Sequence, residues 1–172
     1  MFSRYFLSLL GALALAFLAA CGGSGPAPAD RSKTVGDHFA ITVGSRAVQM
    51  QVAVLPEELQ HGLMFRPRLE PEEGMVFVFT RAQQMGFWMR NTEIPLDIGY
   101  FDPSGELKEI YPMYPHDERP VSSHSRSIQF CLEMNQGWFR SHGVKPGDRL
   151  DLAALAAALR ARGLQPEAAG LR

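Results

Sequence analysis

The chain has 172 residues, with 17 basic and 18 acidic side chains and a formal net charge of −1. Loss of Arg4 with an N-terminal signal leaves 16 basic side chains against 18 acidic ones, a balance of −2. That balance supplies neither the basic stripe of a nucleic-acid-binding protein nor a polybasic patch for anionic lipid, so nucleic acid is not an expected partner.

Residues 1–20 are built like an export signal. Arg4 is the positive n-region, Tyr5 to Ala20 is apolar apart from Ser8 and Gly11, and Leu18-Ala19-Ala20 ends in small residues. Sixteen residues make about 24 Å of helix, short of the ~20 residues a membrane span usually needs. Leu18-Ala19-Ala20-Cys21 resembles the lipobox of bacterial lipoproteins, in which the cysteine thiol is acylated. The resemblance implies a membrane anchor at Cys21. Gly22 in place of an aspartate after it implies sorting to the outer membrane, with the domain facing the periplasm. Residues 21–36 lack large apolar side chains until Val35 and read as a flexible Gly/Pro/Ala tether. With Cys21 committed to lipid, Cys131 has no disulfide partner and is expected to act as packing.

The domain is expected over residues 37–165, followed by a disordered tail at 166–172. Phe39-Ile41-Val43 and Val48-Met50-Val52-Val54 alternate with smaller or polar residues on either side of Gly44-Ser45, which predicts a hairpin. Pro56 with Glu57 and Glu58 opens a short helix toward Met64, and Gly62 within it signals close backbone packing. Gly74 to Phe79 is apolar without alternation, as in a strand covered on both faces. Phe87 to Thr92 and Leu96 to Phe101 read as two further strands separated by Pro95. Asp102-Pro103-Ser104-Gly105 turns the chain into Leu107 to Tyr111, and residues 112–127 read as an irregular loop.

Ile128 to Asn135 alternates cleanly. Ile128, Phe130, Leu132 and Met134 are expected on one face, with Gln129, Cys131, Glu133 and Asn135 on a polar face. Asn135 is placed to cap a short helix through Trp138 and Phe139. Leu152, Leu155 and Leu159 lie at helical spacing, closed by Gly163. The sum is a mainly β (α+β) domain, a β-sandwich or barrel-like arrangement of about seven short strands with two or three short helices.

Four blocks stand out together: Gly62-Leu63-Met64-Phe65-Arg66; Gly74 to Phe79; Phe87-Trp88-Met89-Arg90-Asn91-Thr92 with Ile94-Pro95-Leu96-Asp97-Ile98; and Leu132 to Phe139 with Gly147-Asp148. In this order they resemble the uncharacterised ancient-conserved-region family known as domain of unknown function 192, over about residues 37–152. Family members often carry lysine where this chain has Arg90. The resemblance implies a compact, mainly β fold and brings no established reaction, cofactor or catalytic residue with it.

The candidate ligand-binding residues are Arg66, Trp88, Arg90, Asn91, Asp97, Glu133 and Asn135. Asp97, between Leu96 and Ile98, must be hydrogen-bonded or paired if ionised. A structural role is favoured, with backbone amides, Arg66 or Arg90 as partners. Trp88, Arg90 and Thr92 share a face if their strand is regular, and there could stack a sugar ring or hold an anion. Asp97 with Glu133 is the natural carboxylate pair for glycoside hydrolysis, provided the fold brings them together. His116, Asp117, Glu118 and His124 lack the convergent spacing of metal sites. No phosphate-binding glycine loop, Gly-x-Ser-x-Gly elbow or His-Glu-x-x-His occurs, and no cofactor or metal is expected. The leading expectation is a non-enzymatic, lipid-anchored envelope domain binding a small molecule, glycan or envelope protein. An envelope glycan hydrolase and a structural interaction module are the alternatives.

Overall fold

The computed structural model describes residues 32–171. The signal, Cys21 and the first part of the tether therefore lie outside the described residues. Strands β1 (Phe39–Val43), β2 (Arg46–Ala53), β3 (Glu73–Gln83), β5 (Leu96–Phe101), β6 (Leu107–Met113) and β8 (Ile128–Asn135) form one mixed sheet in the order β1-β2-β3-β8-β5-β6. Two short strands, β4 (Gly86–Phe87) and β7 (Val121–Ser122), make a second small sheet. Helices are few: α1 (Pro56–His61), α2 (Trp138–Ser141) and α3 (Leu152–Ala161). No helix of the described residues is long and apolar enough to cross a membrane.

The alternation read in β1 and β2 produces an antiparallel hairpin that turns at Gly44-Ser45, with Gly44 at φ 58° where a side chain would be strained. β2 and β3 run parallel, so the chain crosses over through α1, which brings the helix and its following loop onto the sheet. β3 and β8 occupy the middle of the sheet; β8 is buried through Met134, and β3 is buried from Gly74 to Val78. The sheet stays open. The Arg149–Leu150 segment makes only single bridges, Leu150 to Val43 and Arg149 to Glu106, which tie the two edges together at one end.

Each face of the sheet has its own core. On one, Val52, Val76, Phe101, Phe130, Leu132 and Met134 pack with Trp138, Phe139, Leu155 and Leu159 of α2 and α3. On the other, Phe77, Ile98, Tyr100 and Cys131 pack under Leu63, Met85, Met89 and Ile94, which come from loops. The fold is a sandwich of helices, sheet and a loop layer.

Four expectations are corrected. The segment from Phe87 to Thr92 is a strand only through Phe87. Beyond it Asn91 turns to φ 55° and the Thr92 N–H donates to the Met89 carbonyl, so the chain curls into a turn. The polar face of β8 does not meet water: Gln129 and Glu133 are buried beneath the loop layer and the C-terminal turn. Asn135 does not cap α2, whose preceding residue is Gly137. Its side chain donates instead to the carbonyls of Leu69 and Glu70. The tail is ordered as far as Leu171: Pro166–Ala169 forms a 3-10 turn, Ala169 and Leu171 are buried, and Gln129 Nε2 donates to the Ala169 carbonyl at 2.8 Å.

Candidate functional site

Backbone register decides how the two carboxylates relate. Asp97 of β5 pairs with Met134 of β8, and its neighbour Ile98 pairs with Glu133. Paired residues share a face and successive residues alternate, so Asp97 and Glu133 point to opposite sides of the sheet. They cannot flank one glycosidic bond, and the hydrolase reading through this pair is overturned.

Asp97 belongs to the helical side. It accepts the Gly137 N–H at 2.8 Å, immediately before α2. Burial raises its pKa, partly offset by that hydrogen bond and by the positive charge of Arg140. Neither Arg66 nor Arg90 is its partner. Asp97 holds the β8–α2 corner in place, as expected of a structural carboxylate. It also edges a shallow depression shared with Ile110, Pro112, Tyr114 and Arg140.

Glu133 is the opposite case. Its residue is 5% exposed, and burial alone lifts its pKa to about 8, with no hydrogen bond or opposing charge to offset the burial. Loss of hydration disfavours the charged form, so at neutral pH most of this carboxyl is protonated. It lies in a row across the loop-covered face, Gln51–Met75–Glu133–Ile98–Tyr111, set by the pairing of five strands. Gln51, in the same row, leaves its buried Oε1 without a partner. On the same strand as Glu133, Cys131 is fully buried, and burial raises its thiol pKa.

Glu133 reaches a pocket of about 190 Å³ walled by the loop after α1, Phe77 and Phe79 of β3, and Met85 to Trp88, with Thr92 at its edge. Gly62 closes over the carboxyl. A Cβ there would meet the Phe77 ring at 3.3 Å and stand 3.9 Å from Glu133 Oε2, and Gly62 has φ 51°. The close packing expected at Gly62 is thus a close approach to the pocket wall. Phe77 and Phe87 meet edge to face at 4.9 Å, and Phe79 meets Phe87 at 6.5 Å in the same way. His61 lines the mouth, which opens into a shallower space bounded by Glu57, Trp88, Arg90 and Asn91.

The loops around this pocket carry backbone strain. Phe65, Asn91 and His116 all have positive φ, at 60°, 55° and 62°. Each such residue costs on the order of 1–3 kcal/mol, and such strain concentrates at functional sites. The three loops are stitched together: the Phe65 N–H donates to the Asn91 carbonyl, His116 to Thr92, and Met89 to Asp117. Phe65, Trp88 and Tyr114 expose large aromatic surfaces from these loops, and the Arg90 guanidinium lies 5.9 Å from the Trp88 ring centre.

Of the residues singled out from sequence, Glu133 and Trp88 share this pocket, and Arg90 and Asn91 line the adjoining mouth. Arg66 borders a neighbouring depression with Gln51 and Met75. Asp97 and Asn135 serve the fold elsewhere. His61, Phe77, Phe79 and Phe87 were not anticipated as pocket residues, whereas Thr92 had been grouped with Trp88 and Arg90 and does reach the pocket edge. Among the described residues, no three His, Cys, Asp or Glu side chains gather into a metal site.

The family is decided by a profile that matches residues 39–152, described as an uncharacterised ancient conserved region, domain of unknown function 192. The chain belongs to this family. A protein of unknown function from Novosphingobium aromaticivorans DSM 12444 is 34% identical with a TM-score of 0.61, over 64% of this chain and 82% of that one. A Sinorhizobium meliloti 1021 protein, described as a proposed transcription regulator, is 30% identical with a TM-score of 0.62, over 66% of this chain and 94% of that one. No curated protein matches the chain. The family match ends at residue 152, so α3 and the C-terminal turn lie beyond it.

Proposed function

We propose that this family member is an exported, lipid-anchored envelope protein whose domain binds a small ligand through the Glu133 pocket, without catalysing a reaction on it. The observation that carries the binding reading is the unpartnered, buried Glu133 carboxyl at the wall of an open pocket. Such a group destabilises the fold unless something outside the fold gives it a use. Two further features support the reading: Asn91, at the mouth, holds a left-handed backbone, and Trp88 stands exposed at the rim. The pocket is below the ~300–1000 Å³ of ordinary ligand sites, so it suits one compact group rather than a whole cofactor. The anchoring half of the proposal rests on Leu18-Ala19-Ala20-Cys21 and Gly22, which favour the outer membrane and a periplasmic domain. The regulator description of the Sinorhizobium relative is not adopted, because the charge balance offers no surface for nucleic acid.

Two experiments test the halves separately. Cys21→Ser is expected to move the chain from the membrane to the soluble periplasmic fraction with its folding intact. Continued membrane retention of the variant refutes the lipid anchor. A thermal-shift screen of small molecules and methyl glycosides on the full chain is expected to yield ligands that raise the melting temperature of wild type more than that of Glu133→Gln. Equal shifts in both proteins for every hit refute the pocket.

A further inference from the structure

We propose that the occupant of the Glu133 pocket is a small organic cation, an alkylammonium group held between the Phe77, Phe87 and Trp88 rings and the Glu133 carboxylate. This inference rests on the pocket reading above and adds the ligand's chemical class. The walls decide between ligand classes. A sugar ring presents several hydroxyls, each needing a partner once buried. The pocket offers few: Glu133 itself, Gln60 and His61 at the mouth, and a Thr92 hydroxyl already given to the Arg90 carbonyl at 3.3 Å. An anion would face a carboxyl with no arginine or lysine among the lining residues. An alkylammonium needs only what is present, namely aromatic rings and sulfur-bearing side chains to cover its methyl groups, and one carboxylate for its charge. Met64 and Met85 complete that apolar lining.

Binding is coupled to a proton. Free, Glu133 holds a proton up to about pH 8. When the cation enters, the carboxyl O–H bond breaks heterolytically, the electron pair stays on the carboxylate, and the proton leaves to solvent through the mouth. The titratable groups facing Glu133 are His61 from the end of α1, Tyr100 from β5 and Cys131 on β8 itself. Burial raises the pKa of both Tyr100 and Cys131, which keeps them neutral through this range. His61 stands at the mouth, where a positive charge would oppose the cation.

The test is calorimetry on the full chain in buffers of different ionisation enthalpy, with choline, methylammonium and dimethylbutanol, the neutral carbon isostere of choline. The expected result is saturable binding of at least one cation, at least ~10-fold tighter than the isostere. Nearly one proton should be released per site at about pH 7. Affinity should rise about tenfold per pH unit until it levels above about pH 8. Glu133→Gln should abolish both the proton release and the pH slope. Failure of every cation to bind more tightly than the isostere, or cation binding without proton release, overturns the cation class while leaving a ligand pocket standing. No binding of any cation also overturns it. The pocket reading itself falls only if the wider screen finds no ligand sensitive to Glu133→Gln.

Discussion

Glu133→Gln is the perturbation whose effect on stability can be worked out from the fold alone. In the unfolded chain this carboxyl titrates near its ordinary value of 4.5, whereas in the folded domain it titrates at about 8. Between those values the unfolded state gives up a proton that the native state keeps, so the stability of the wild-type protein falls as pH rises. The contribution is fully present below about pH 4.5, is lost progressively, and is gone above about pH 8. At ~1.36 kcal/mol per pH unit, the loss is on the order of 3 kcal/mol by neutral pH and roughly 5 kcal/mol at its limit. Glutamine has the size and hydrogen-bonding groups of the protonated acid and cannot ionise, so it removes the loss without opening a cavity. Urea unfolding of both proteins in steps from about pH 5 to about pH 9 should therefore give diverging stabilities. Glu133→Gln should be near wild type at the acid end and several kcal/mol more stable at the alkaline end. Parallel pH profiles would refute the claim that this carboxyl is buried without a partner.

Asp97→Ala should lose about 1–3 kcal/mol in a thermal or urea melt, because it leaves the Gly137 N–H before α2 without its acceptor. Asp97→Asn, which can still accept that bond, should lose less. Arg162→Met should destabilise by roughly 3–5 kcal/mol. It strips the partner from Glu58, whose side chain is 9% exposed and which also accepts the Val54 and Leu55 N–H groups. Melting Arg162→Met beside Arg162→Met/Glu58→Gln should show part of the loss recovered in the double variant. Cys131 should resist alkylation in the native protein and react once it is unfolded, since it is fully buried and its thiol pKa is raised by that burial. Fast stoichiometric labelling of the folded chain would contradict its place in the core.

Much of the fold was legible because hydrophobic period and turn chemistry act locally. The β1–β2 hairpin, β5, the turn at Asp102 to Gly105, β8, and the helix from Leu152 all follow from patterns within a dozen residues. The errors share a different cause. In Phe87 to Thr92 the composition favours a strand, and contacts with distant loops turn it instead, the Met89 N–H going to the carbonyl of Asp117. The polar positions of β8 read as solvent-facing because a single strand does not reveal a second covering layer. That layer here consists of loops, whose own sequences carry no periodic signal. Residues 166–172 were expected to form a disordered tail, yet Ala169 and Leu171 enter the core of the helical side. The candidate site was legible only in part. Glu133, Trp88, Arg90 and Asn91 were named, but their grouping, and the separation of Glu133 from Asp97, depend on strand register, which local sequence does not specify.

The two carboxylates show how one sheet gives the same functional group two fates. They sit on adjacent, paired strands, one position out of step in register. On the helical side, the chain after β8 turns at Gly137 and presents a backbone N–H to Asp97, with Arg140 following on α2. Asp97 thus completes a structural corner. On the loop side, Glu133 meets aromatic rings and the closely approaching Gly62, and nothing in the described fold answers its charge. A leucine or glutamine at that position would make the domain more stable at neutral pH, by the same reckoning as for Glu133→Gln. Left-handed backbone at Phe65, Asn91 and His116 adds strain to the loops that build the mouth. Instability gathered around one cavity is the mark of a binding surface rather than of packing, and it is the loop face of the sheet, not the helical face with Asp97, that carries it.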